Sequence, residues 1–126
     1  LNAKGKRLPG ADNVASADWI KRHTVQTQVS VAALRNDLDK GEAESITLAK
    51  ELNAQLILLD EKEGRHTANR LGLAVVGTVG VLLEAKSRKM IVGIRPHLDA
   101  LRQNAGFFLS ESLYQSALQT AGEGKN

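Results

Sequence analysis

The pattern of apolar and polar positions along the chain predicts helices that alternate with two short strands. Gln55–Leu59 and Leu73–Val76 are continuous apolar runs, as in strands that are buried on both faces of a parallel sheet. The segments with apolar residues at helical spacing are Ala11–Trp19, Val29–Asn36, Gly41–Asn53, Gly64–Leu71, Thr78–Lys89, Pro96–Asn104 and Ser110–Thr120. This alternation predicts the α/β class, with helices covering both faces of a parallel sheet.

Two further features complete the predicted organisation. His23–Gln28 alternates β-branched and polar residues, which indicates a short edge strand. The 126 residues are expected to form one domain, with a loop at 1–10 and a polar tail at 122–126. Because the chain opens in a loop at Leu1, we expect the domain to be incomplete at its N-terminus.

Composition and charge narrow the function classes without choosing one. The chain has no cysteine, so a disulfide framework is excluded and a cytoplasmic location is expected. No apolar run approaches the roughly 20 residues that cross a bilayer, so no membrane association is expected. The net charge of +3 suits a nucleic-acid ligand. The chain has only four aromatic residues, and a stacking platform for single-stranded bases is not expected.

Asp60 is the first candidate for chemistry because it directly follows an apolar strand. In parallel sheets, ligands bind beyond the carboxyl ends of the strands. Glu61 and Glu63 follow closely. The alternative is that Asp60 is a solvated loop carboxylate, and its position alone does not distinguish the two.

Glu42 is the second candidate, and helical phase singles it out. At about 100° per residue, Ile46, Ala49 and Leu52 define the buried stripe of the helix, and Glu42 lies near it. Glu44 falls with Thr47, Lys50 and Glu51 on the solvent side. The alternative for Glu42 is a capping box with the backbone of Asp39.

A crossover from helix to strand can bring Glu42 and Asp60 to the same edge of the sheet. Two carboxylates that meet there repel each other unless a cation joins them, and oxygen ligands favour Mg²⁺ or Mn²⁺. Arg65 could hold a phosphate by paired hydrogen bonds, or it could pair with Glu61 or Glu63. Lys86, Arg88, Lys89 and Arg95 form a second basic group, interpreted as a solvated helix end.

The remaining motifs are weaker. The turn from Gly77 to Gly80 follows a strand and opens a helix, but it lacks the spacing of a dinucleotide site and a P-loop lysine. It is interpreted as tight packing of strand against helix, and a nucleotide-binding regulator is a minor alternative. His23, His66 and His97 lack metal-ligand spacing, and no serine stands in a nucleophile elbow.

Four segments together resemble the PIN-like proteins related to VapC toxins, and the resemblance covers the chain from about Pro9 onward. They are Asp39–Ala49, Leu56–Arg65, Leu71–Lys86 and Ala105–Glu111. The resemblance implies a three-layer α/β/α fold and a ribonuclease dependent on Mg²⁺ or Mn²⁺. It also implies that a small antitoxin protein blocks the enzyme, and homodimers are common in the family.

Carried over by position, the resemblance assigns the metal ligands to Glu42, Asp60 and Glu61, with Glu44 as second choice. It makes Glu42 and Asp60 the catalytic acids and Arg65 the contact to RNA. The family's first strand, with its aspartate, has no counterpart in this chain. Two functions therefore stay open: an endoribonuclease that acts as the toxin of a toxin–antitoxin pair, and a truncated, non-catalytic module that binds a protein or nucleic acid.

Overall fold

The computed structural model describes residues 10–104 and 107–124. The predicted loop before Gly10, the Ala105-Gly106 part of the family motif, and residues 125–126 of the predicted tail lie outside that description. The described residues form helices and one sheet of two short parallel strands, which fits the predicted α/β class. No described helix is long and apolar enough to cross a membrane.

The helices and strands follow the predicted order; most are shorter than predicted, whereas the fourth and sixth helices are each one residue longer. The helices are α1 (Ala11–Ser16), α2 (Gln28–Leu34), α3 (Lys40–Glu51), α4 (Lys62–Arg70), α5 (Thr78–Ser87), α6 (Arg95–Asn104) and α7 (Glu111–Thr120). The strands are β1 (Ile57–Leu58) and β2 (Val75–Val76). They pair in parallel, with Ile57 opposite Val75 and Leu58 opposite Val76.

Helix α3 starts where the sequence places it, because the Asp39 side chain accepts a hydrogen bond from the Glu42 backbone N–H at 2.8 Å. This bond satisfies one of the donors that a helix start leaves free. The predicted phase holds for Ile46 and Ala49, which are both buried. It is wrong for Leu52, which is exposed at the C-cap, and for Thr47, which is buried. Thr47 is covered because α2 packs against α3.

The first core lies on one side of β1. Its buried residues are Leu38, Ile46, Ala49, Ile57, Leu59 and Ala68. Alternate strand residues point to opposite faces, and the opposite face of β1 is open in the described structure: Leu58 is 57% exposed. The prediction that both faces of this strand are buried is therefore wrong for the described residues.

The predicted edge strand at His23–Gln28 is not formed. Residues 21–27 have no regular secondary structure, and only Val25 is buried among them. The Glu51 carboxylate at the end of α3 accepts the backbone N–H groups of Gln26, at 3.1 Å, and Thr27, at 2.7 Å. A side chain thus occupies the donors that a strand ladder would need. The alternating pattern of His23–Gln28 therefore corresponds to an irregular segment in which one residue, Val25, is buried.

A second core joins α5, α6 and α7 to the segments between them. Its buried residues are Ile94, Leu98, Leu109, Tyr114, Ala117 and Leu118. Val79, Leu82 and Leu83 of α5 pack against it, on the side that the sequence predicts. The Tyr114 hydroxyl donates to Asp99 at 2.7 Å, and the Arg102 guanidinium lies 4.1 Å from the centre of the Tyr114 ring.

Glu123, in the segment predicted as a polar tail, ties the chain end to this second core. Its carboxylate pairs with Lys86 at 2.8 Å and accepts the Ile94 backbone N–H at 2.9 Å. Its backbone carbonyl accepts from the Arg95 guanidinium at 3.2 Å. The interpretation of the second basic group as a solvated helix end is therefore wrong for Lys86 and Arg95, because Glu123 binds the Lys86 side chain through its carboxylate and the Arg95 side chain through its backbone carbonyl.

We expect Glu123→Gln to lower the free energy of unfolding by about 1–3 kcal/mol, since charged hydrogen bonds are lost in a half-buried site. Hydrogen bonds from Lys86 and from the Ile94 backbone hold the pKa of Glu123 below its ordinary value. A lowered pKa gives stability that is present at neutral pH and is lost as the pH falls below about 4.3 and through the lowered pKa. Urea unfolding of both chains from pH 7 to 3 measures this, and the difference should shrink on acidification.

Glu84→Gln is the matched control for this prediction. Glu84 pairs with Arg88 at 2.8 Å on the surface of α5, where both side chains are more than half exposed. Exposed pairs of this kind contribute about 0–1 kcal/mol. Equal effects of the two substitutions at neutral pH would contradict a structural role for Glu123.

Candidate active site at the carboxyl end of the first strand

Asp60 lies just beyond the end of β1, where the sequence places it, and its carboxylate is held by α5. Oδ1 accepts the Thr78 backbone N–H at 2.8 Å, and Oδ2 accepts the Thr78 hydroxyl at 2.6 Å. The N-cap residue of α5 is Gly77, which has no side chain to cap the helix. Asp60 supplies that cap from another segment, so it has a structural contribution as well as a candidate chemical one.

Two glycines beside Asp60 allow this close approach. A Cβ atom on Gly77 would lie 3.0 Å from Asp60 Oδ1, and one on Gly80 would lie 2.6 Å from the Val76 side chain. The interpretation of the Gly77–Gly80 turn as tight packing of strand against helix is therefore confirmed. The same packing brings the α5 start within hydrogen-bonding reach of Asp60.

Glu42 is the second carboxylate of the site, and it lies in the first turn of α3. Its Oε2 atom is buried and has no hydrogen-bond partner in the described part of the chain. A Cβ atom on Gly64 of α4 would lie 2.6 Å from that oxygen. The absence of a side chain at Gly64 therefore makes the space that the Glu42 carboxylate occupies.

The charge state of Glu42 follows from these surroundings. Burial raises the pKa of the Glu42 carboxyl, and the negative charges of Asp39 and Glu61 raise it further. The Asp39 backbone N–H acts in the opposite direction and does not cancel the rise. The capping alternative is supported from both sides: the Asp39 side chain caps the Glu42 backbone, and the Asp39 backbone N–H acts on the Glu42 carboxyl, whose Oε2 atom accepts no hydrogen bond in the described residues.

Glu61 is near enough to act on Glu42 electrostatically, and it shares a groove with Asp60. It is the N-cap residue of α4, but its side chain makes no capping hydrogen bond. Glu44, the second choice among the acids, lines a separate groove with His23 and Gln28. The structure therefore connects Glu42 with Glu61 and Asp60 with Glu61, and it directs Glu44 elsewhere.

Arg65 lines the groove with Asp60, and a Cβ atom on Gly77 would lie 3.9 Å from its Nη1 atom. Its side chain makes no hydrogen bond or ion pair with the residues that the structure describes, and only its backbone N–H donates, to the Glu61 carbonyl at 3.0 Å. The alternative that Arg65 pairs with Glu61 or Glu63 is thus not realised there. Its guanidinium is free to contact a ligand in the groove.

Whether a divalent cation fits this site depends on the oxygen atoms present. A buried carboxylate oxygen without a donor, next to a second carboxylate, is the kind of ligand that Mg²⁺ or Mn²⁺ takes. However, the described residues contain no group of three or more acidic, histidine or cysteine side chains arranged to hold a metal. Glu42 and Glu61 can therefore supply only part of a coordination shell in the described residues, and the assignment of Glu42, Asp60 and Glu61 as metal ligands stays a prediction.

We expect Glu42→Gln to stabilise the metal-free protein at neutral pH. Because the pKa of Glu42 is raised, its carboxyl does not reduce the stability of the folded protein below the ordinary pKa of a glutamate. The stability falls as the pH rises from that ordinary pKa through the raised value. Glutamine keeps the shape and removes this loss. Thermal unfolding of the parent and the Glu42→Gln chains in EDTA at pH 4 and pH 7 measures the effect. The same difference in stability between the two chains at both pH values would contradict the prediction.

Comparison with known proteins gives a family match. Residues 1–123 match a family model described as a PIN domain. No curated protein and no solved structure matches the chain. The match confirms the resemblance in its broader form and indicates a nuclease-type function in general terms.

Proposed function

We propose that the chain, which belongs to the PIN domain family, is a metal-dependent endoribonuclease. The observation that carries the proposal is the buried Glu42 Oε2 atom, which accepts no hydrogen bond in the described residues and is near enough to Glu61 to be affected by its charge; Glu61 shares a groove with Asp60. A buried charge without a partner is unfavourable unless a cation compensates it.

Each residue of the site has a distinct role in this proposal. Glu42 and Asp60 are the ligands of Mg²⁺ or Mn²⁺, and Glu61 contributes charge next to them. Such an ion activates water and stabilises the leaving oxygen in phosphodiester hydrolysis. Thr78 fixes the orientation of the Asp60 carboxylate by two hydrogen bonds. Arg65 binds a phosphate of the RNA from the same groove.

Further parts of the proposal rest on the family resemblance. They are a three-layer α/β/α arrangement of the complete domain, a role as the toxin of a toxin–antitoxin pair in the cytoplasm, inhibition by an antitoxin protein, and a homodimeric state. The basic net charge of +3 supports RNA as the substrate. We make no assignment of the RNA that is cut.

We expect the parent protein to cleave RNA in Mn²⁺ or Mg²⁺ and to stop in EDTA. Glu42→Gln and Asp60→Asn should each lower the rate about 100-fold or more, since both remove a proposed ligand, and even outer-shell residues change activity about 10- to 100-fold. The measurement is the initial rate of cleavage of a labelled RNA, with circular dichroism to confirm that each variant is folded.

Controls separate the chemical role of Asp60 from its structural one. Thr78→Val removes the hydroxyl hydrogen bond and leaves the carboxylate and the backbone N–H in place. Glu84→Gln removes a surface acid that does not line the groove and should leave the rate unchanged. A larger loss in Glu44→Gln than in Glu42→Gln would move the metal ligand to the second-choice acid.

The non-catalytic alternative gives a different set of results. It is favoured by the absence of a complete three-residue metal group in the described residues. RNA or protein binding that is insensitive to EDTA and to Asp60→Asn, without any cleavage by the parent chain, would establish it. That outcome would overturn the proposed nuclease.

We expect Gly64→Ala to reduce cleavage by about 100-fold, because a new Cβ atom 2.6 Å from Glu42 Oε2 must displace the carboxylate, and displacements near 1 Å can have effects of this size. Stability should change by less than about 1 kcal/mol, since alanine favours the helix and the carboxylate is flexible. Gly41→Ala is the control, because its nearest contact is an ordinary 3.6 Å to Asp39. Equal rates in both variants would contradict the proposed position of Glu42.

A further inference from the structure

The groove that contains Asp60 has an aromatic wall. Its volume is about 620 Å³, enough for a nucleobase. Lys62 and Arg65 line it together with Asp60 and Glu61, and its apolar lining includes Phe107 and Phe108. Cationic and aromatic side chains together are the combination that binds single-stranded nucleic acid.

Phe108 is held in this wall by its neighbours in sequence. Phe107 packs against the second core, and its backbone N–H donates to the Leu101 carbonyl at 3.0 Å. Leu109 is buried in the same core. The chain is thus held on both sides of Phe108, which is itself 87% exposed. The ring is attached at a fixed point of the groove lining and is open to solvent, which leaves its face accessible to a planar ligand.

Exposure alone does not make a site, and a second aromatic residue shows the difference. Trp19 is 78% exposed, but it is not part of the groove lining. Single exposed apolar residues are ordinary on protein surfaces. What distinguishes Phe108 is its place in one groove with Asp60 and Arg65.

The cations of the groove are available to a phosphate backbone. The side chains of Lys62 and Arg65 form neither hydrogen bonds nor ion pairs with the described part of the chain. The groove also contains two acids, which repel phosphates. A bound nucleic acid is therefore favoured with its phosphates at the cations and its base at the aromatic wall. The lining thus offers separate surfaces to the two parts of a nucleotide.

We propose that Phe108 stacks on an unpaired base of the RNA substrate, so that the site selects single-stranded RNA. The inference rests on the proposed function for its choice of RNA as ligand. Bases within a duplex are already stacked on each other, and their faces are closed to a side chain. That a stacking platform is not expected from so few aromatic residues stays a prediction, and the present proposal needs only one ring for one base.

The test measures binding without cleavage. Asp60→Asn protein in EDTA is titrated with a fluorescent RNA of about ten nucleotides without self-complementarity, and with a hairpin of the same composition. Adding Phe108→Ala should weaken binding of the single strand roughly 5- to 150-fold, because stacking on one aromatic side chain is worth about 1–3 kcal/mol. Binding of the hairpin should change less, and Phe108→Trp should restore the affinity for the single strand.

Trp19→Ala is the matched control and should bind like the parent. A 2-aminopurine base in the single strand gives a local readout, because its fluorescence falls when it stacks, and this decrease should disappear in Phe108→Ala. Affinity unchanged within about twofold in Phe108→Ala, with unchanged quenching, would overturn the inference.

The outcomes also separate this inference from the proposed function. Cleavage by the parent that is equally fast and equally strand-selective in Phe108→Ala would keep the nuclease and overturn the stacking role. Binding that depends on Phe108, in a chain that cuts no RNA with any divalent cation, would keep the stacking role and overturn the nuclease. A parent chain that neither binds nor cuts RNA would overturn both.

Discussion

The two hydrogen bonds between Thr78 and the Asp60 carboxylate determine how the candidate site is assembled. Asp60 follows β1, which belongs to the first core, and Thr78 begins α5, which packs against the second core. The bonds join the end of a strand to the start of a helix that is 18 residues further along the chain. A carboxylate at a helix N-terminus also interacts favourably with the helix dipole. The contacts that fold the chain therefore fix the position of Asp60.

The same edge of the sheet gathers further acids at helix starts. Glu42 lies in the first turn of α3, and Glu61 is the N-cap residue of α4. The partial positive charge of a helix N-terminus offsets the repulsion between neighbouring carboxylates. The pKa of Glu42 nevertheless remains raised, first by burial of the carboxyl and then by the negative charges of Asp39 and Glu61. Burial and repulsion together are the electrostatic reason to expect a cation at the site.

Features that depend on neighbours in sequence were predictable, and features that depend on distant residues were not. Asp39 at the start of α3 and the strand-end position of Asp60 both follow from local patterns, and both are found. The partner of Asp60 could not be predicted, because it lies in another segment. Residues 23–28 show the same limit: the carboxylate that prevents a strand there belongs to Glu51, which is distant in the sequence.

The exposed position of Trp19 has a practical consequence for studies of folding. It is the one tryptophan of the chain, and its ring is mostly in contact with water in the native state. An indole that is already hydrated changes its emission little when the chain unfolds, so tryptophan fluorescence reports poorly on either core. Tyr114 is buried within the second core. Spectroscopic signals from the helical backbone, or from that tyrosine, are the better reporters of native packing in this protein.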